Sequence, residues 1–73
     1  MPPGTTDVVV IVFERVPTSR RFQITDFAII GSAGPCREFL RRGEDVVHAE
    51  SCLLRQNFRI VFDSSNVLLF VRR

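Results

Sequence analysis

Asp7-Val8-Val9-Val10-Ile11-Val12-Phe13-Glu14-Arg15-Val16 is the stretch on which the fold turns. Nearly every residue in it is β-branched or aromatic, the side chains that suit a pleated, half-buried surface, so the run predicts a strand. The run is also apolar on both sides. Val8, Val10 and Val12 point one way, and Val9, Ile11 and Phe13 point the other. A strand with one wet face alternates apolar with polar residues instead. The far end of the chain repeats the pattern, with Val67, Leu69 and Val71 set against Leu68 and Phe70.

Outward from the first strand, Pro17-Thr18-Ser19-Arg20 is turn chemistry. Residues 21–30 then read as a second strand, so the two should form an antiparallel hairpin. Gly31-Ser32-Ala33-Gly34 breaks that strand, and Pro35 is well placed to open a helix. Cys36 to Arg42 fits one short helix, with Phe39 and Leu40 facing inward, a Glu38–Arg42 pair one turn apart and Gly43 as its stop. Residues 44–55 fit two periods. Val46, Ala49 and Leu53 share a helical face; Val47, Ala49 and Leu53 share a strand face. The adjacent valines tip our reading toward a strand or an irregular segment. Phe58, Ile60 and Phe62 alternate with Arg59, Val61 and Asp63, and Asp63-Ser64-Ser65-Asn66 is a turn into the last strand, which gives a second hairpin. The expected fold is α+β: a small, mainly antiparallel sheet of four or five strands with one short helix, in the order ββα(β)ββ.

With 73 residues the chain can hold one core. Residues 1–6 read as a flexible tail and 7–73 as a single compact domain, whose hydrophobic content of 45% is that of a globular chain rather than a disordered one. One helix of about eight residues spans roughly 12 Å and covers only part of one sheet face. Apolar surface is therefore left over. Residues 44–55 could fold across it, the sheet could curl on itself, or a partner could cover it, a second copy included.

The cations bear on that surface. There are ten arginines and no lysine, against eight acids, so every positive group is a planar guanidinium suited to paired hydrogen bonds with carboxylate or phosphate. Arg15, Arg20 and Arg21 gather near the first turn, Arg37, Arg41 and Arg42 lie on the helix, and Arg72 and Arg73 close the sequence. An apolar centre rimmed by arginine is the composition of a protein interface, so these eight are the expected partner-binding residues.

Catalysis and ligand chemistry find little support. His48 is the one histidine; Asp45, Ser51 and Cys52 lie near it in sequence without making a nucleophile–base–orienter set. Cys36, His48 and Cys52 lack a recognised metal-ligand spacing. Gly31-Ser32-Ala33-Gly34 lacks the phosphate-loop pattern and its lysine. We expect no enzyme activity, no cofactor and no metal. The start of the chain shows no basic leader pattern, and the apolar run 8–13 is too short to span a bilayer, which gives the expectation of a cytoplasmic protein with no membrane partner. In that compartment Cys36 and Cys52, 16 positions apart, are expected as free, buried thiols. Nucleic acid is the lesser expectation, because a net charge of +2 is small beside the phosphate-driven affinity such binding needs.

Two resemblances add to this reading. The closing segment, Asn57-Phe58-Arg59-Ile60-Val61-Phe62-Asp63 through Val67-Leu68-Leu69-Phe70-Val71-Arg72-Arg73, resembles the last hairpin of RelE/ParE-type toxins. That likeness implies RNA or partner contact by Arg59 and Arg72. Those toxins open with a strand and a helical hairpin, whereas this chain opens with two strands. In size and composition the chain also resembles phage-encoded host-takeover proteins, which include inhibitors of bacterial RNA polymerase and anti-CRISPR proteins. That second likeness implies a non-enzymatic regulator that docks on a host machine, with RNA polymerase first among the partners, and blocks a surface or displaces a factor. A toxin-like nucleic-acid module and a homodimeric structural subunit are the alternatives.

Overall fold

The computed structural model describes residues 6–18 and 20–73. Most of the expected tail, and Ser19 of the first turn, lie outside the described residues. Four strands form: β1 (Asp7–Arg15), β2 (Phe22–Ile30), β3 (Arg59–Asp63) and β4 (Val67–Arg72). Between the two hairpins lie a 3-10 helix (Gly34–Phe39) and α1 (Val46–Arg55). The sheet order is β2-β1-β4-β3 and every neighbour is antiparallel. The α+β class and both hairpins stand as the sequence predicts. The last strand joins the hairpins by pairing with the first, Val9 opposite Phe70 and Ile11 opposite Leu68. The two strands that are apolar on both sides are thus the two central ones.

Residues 44–55 correct the lean toward a strand. Asp45 supplies the reason at one end: its carboxylate accepts the Val47 N–H at 2.9 Å and caps the first turn. At the other end Asn57 takes a left-handed φ of 69°. The Phe58 N–H then reaches back to the Leu53 carbonyl at 3.0 Å and the Asn57 N–H to Leu54 at 3.2 Å, a Schellman closure. Val46, Ala49 and Leu53 are buried, the helical face that the sequence held as the alternative.

The first helix is shorter and tighter than expected. It ends at Phe39, so Glu38 and Arg42 do not share a helix. Arg42 instead meets Asp26 at 3.4 Å across an exposed gap. Leu40 is buried and Phe39 half-buried, as predicted.

The expectation of free thiols is also overturned. Cys36 on the 3-10 helix and Cys52 on α1 form a disulfide, with Cα atoms 5.6 Å apart. Once residues 46–55 wind as a helix, Cys52 is carried against the 3-10 helix. An extended segment would not fix it there.

The core lies on one face of the sheet. Val9, Ile11 and Phe13 of β1, Ile24 of β2, and Leu68 and Phe70 of β4 are buried with Ala33, Cys36, Leu40, Val46, Ala49, Leu53 and Phe58. Both helical segments pack on this front face. In β3 the expected alternation is broken by a bulge between Ile60 and Phe62. Phe58 is buried just before the strand, while Ile60, Val61 and Phe62 are all exposed.

Candidate functional site

The strand registers place the remaining apolar residues on the opposite face. Val8 faces Ile30 and Val71; Val10 faces Ala28 and Leu69; Val12 faces Val67. Phe62 stands opposite Leu69 on the outer strand. Residues directly opposite in an antiparallel pair point to the same side, so these nine side chains form one continuous patch across all four strands. None of the nine is fully buried: the six on the two central strands are half-buried, and Ala28, Ile30 and Phe62 at the outer strands are exposed, Ile30 at 65%. Both helical segments pack on the front, and of them only Leu54, near the end of α1, reaches the margin of this side, in a hollow beside Arg59 and Val71.

Charge enters the back face at two opposite corners. Arg59 is in register with Val71 and so points to the back, and it lines a hollow at the sheet edge with Leu54, Phe58, Val71 and Arg73. Diagonally across, Glu14 shares the back side with Val12 and Val10, and Asp26 stands opposite Val12. Asp26 Oδ1 accepts the Phe27 N–H at 2.8 Å and the Arg42 guanidinium at 3.4 Å.

The structure does not gather the eight predicted arginines on one surface. Arg73 alone reaches the rim of the back patch. Arg15 is exposed at the end of β1, opposite Phe22 and so on the front side, and Arg20 and Arg21 are exposed beside the first turn. Arg37 and Arg41 line a separate hollow of about 730 Å³ beside β2, with Phe27, Ile29 and Glu38. Arg42 serves Asp26 at the β2 edge.

Arg72 is turned into the fold. Its guanidinium pairs with Asp7 at 2.8 Å, donates to the Gln56 carbonyl at 3.1 Å and lies 4.5 Å over the Phe58 ring. It thereby ties the two central strands to the end of α1. Asp7 also accepts the Ser32 N–H at 2.9 Å. That backbone donor first, and Arg72 second, hold the Asp7 carboxyl below its ordinary range.

Clustering along the sequence does not single out Arg59, whereas the toxin-like closing hairpin does name it as a contact residue. Strand parity adds the facing: Arg59 follows Phe58, which is buried in the core on the front.

The residues weighed for chemistry have other roles. The Asp45 carboxylate is a helix cap, His48 is exposed with its ring edge against Phe39, and both cysteine sulfurs are in the disulfide. Among the described residues no helix is long and apolar enough to cross a membrane. Comparison with protein-family models, with curated proteins and with solved structures finds no match to this chain.

Proposed function

We propose that this chain is a protein-interaction domain that works by burying its bare sheet face against another protein, by binding rather than by catalysis. One observation carries the reading. Nine apolar side chains from four strands lie on the side of the sheet that none of the described helical segments covers. An apolar patch that is continuous rather than scattered, with charge only at its margin, is the composition of a docking surface. The front of the same sheet supplies the contrast. There the same residue types are closed off by the two helical segments.

The test is a back-face variant, Val10→Glu with Leu69→Glu, compared with the wild type in a pull-down at moderate salt. Purified bacterial RNA polymerase, the partner expected from size and composition, is the first protein to offer. The variant should stay folded by circular dichroism and lose every protein association that the wild type shows. Associations that persist in a folded variant would end the reading.

The compartment belongs to the same proposal. The sequence gives a cytoplasmic expectation, and cytoplasmic thiols stay reduced; the Cys36–Cys52 bond supports an oxidising setting instead. Alkylation of the protein in intact cells, followed by mass measurement, separates the two.

A further inference from the structure

The identity of the protein that covers the back face rests on the reading just given, and the face itself carries a further step. We propose that the occupant is a second copy of this chain, packed back face to back face about a two-fold axis that runs diagonally across the sheet. A two-fold interface buries the same patch on both copies, so the patch must complement itself. The apolar centre meets that condition. Val8, Val10, Val12, Val67, Leu69 and Val71 are compact side chains on the two central strands, able to interdigitate between sheets about 10 Å apart.

The charges choose the axis. Arg59 and Arg73 stand at the β3–β4 corner, and Glu14 and Asp26 at the β1–β2 corner diagonally opposite. An axis along the strands would lay Arg59 over the other copy's Ile30 corner. An axis straight across the strands would lay it over the far end of the other copy's β3. A diagonal axis sets each arginine corner over the other copy's carboxylates, with the strands of the two sheets crossing near right angles, one of the two common ways in which sheets stack. The polar groups are free to meet. Among the described residues Glu14, Arg59 and Arg73 take part in no hydrogen bond or ion pair of their side chains, and Asp26 uses Oδ1 for both of its contacts, leaving Oδ2 open. A different protein would have to bring both an apolar centre and the reversed charge pair. A second copy has both by symmetry.

The size of the patch sets the strength. Four strands about 4.8 Å apart and six residues of about 3.3 Å each give a flat footprint of roughly 400 Å² per copy. That places the interface at the small end of the range for specific complexes, so the dimer should be weak.

Sedimentation equilibrium of the full chain, from low micromolar to several hundred micromolar, tests the proposal. The mass should rise from one chain toward two. Leu69→Glu should hold it at one chain at every concentration. Arg59→Glu should weaken association roughly tenfold, and adding Asp26→Arg to it should restore most of that loss. Because Asp26 also serves its own chain, wild-type amide shifts measured across the same concentrations give an independent reading. They should move at Val8, Val10, Leu69 and Val71 and stay still at Val46, Val47 and Ala49 at the start of α1. A strict monomer overturns the second copy as occupant, while the docking reading survives if a captured protein still depends on Val10 and Leu69. A dimer that ignores Leu69→Glu, or whose shifts centre on the start of α1, overturns it as well.

Discussion

Val9 and Val10 are adjacent in one strand and identical in chemistry, yet Val9 is wholly buried and Val10 stays partly in contact with solvent. The same split runs through β4, where Phe70 is fully buried and Leu69 is not. The front of the sheet is a core because the 3-10 helix and α1 cover it; the back has residues of the same kinds and no cover from those two segments. Hydrophobicity alone therefore does not decide what is inside. The number and placement of covering elements does, and the described helical segments cover one face only. The free energy that holds the domain together is concentrated on the front, and the back is the surface on which the proposed docking rests.

The sharpest way to break this contrast is to truncate matched residues on the two sides. Phe70→Ala should cost about 3–5 kcal/mol, enough to unfold a domain of this size, whereas Leu69→Ala should cost about 1 kcal/mol or less. Urea unfolding followed by circular dichroism reads both, and equal costs would mean that the faces are not different in kind.

Next in size is the covering layer. Reduction of the Cys36–Cys52 bond, which closes a loop with a sequence separation of 16, should lower stability by about 3 kcal/mol. The urea midpoint with and without reductant measures it. An unchanged midpoint would show that the two helical segments stay on the front without the bond.

The clamp at the lower end of the front comes third. The Asp7 carboxyl is held below its ordinary range in the folded state. Its contribution is therefore fully present above the ordinary carboxyl value, and is lost as pH falls from there through the depressed folded value. Asp7→Asn should be less stable near neutrality and should show a flatter loss of stability on acidification, read as urea midpoints at pH ~7 and ~3. A variant as acid-sensitive as the wild type would place the acid response elsewhere.

The smallest effect on stability belongs to the back. Val10→Glu should change the unfolding free energy by less than about 1 kcal/mol, since its side chain already meets water. Its consequence should appear in association instead. A large loss of stability would mean that the back face is covered in the isolated chain.

Much of this architecture is legible along the chain because strand signals are local. The run 7–16 declares a strand by its β-branched side chains, and Asp63-Ser64-Ser65-Asn66 declares the turn of the second hairpin. The apolar surplus is legible as well, since two strands greasy on both sides need more cover than one short helix provides. Residues 46–55 were not legible, because Val46, Ala49 and Leu53 satisfy a helical period while Val46-Val47 favours extension, and only the Asp45 cap and the Asn57 closure settle the competition.

The sequence by itself determined a small antiparallel α+β domain with apolar side chains to spare. Tertiary structure decided which side the described helical segments leave open, that Cys36 meets Cys52, that Arg72 turns inward to Asp7 and Phe58, and that Arg59 joins Arg73 at the rim of the patch. The physical reason is that alternation along a strand fixes which residues share a face. It does not fix which face the connecting segments cross, and that crossing depends on contacts between residues far apart in the chain.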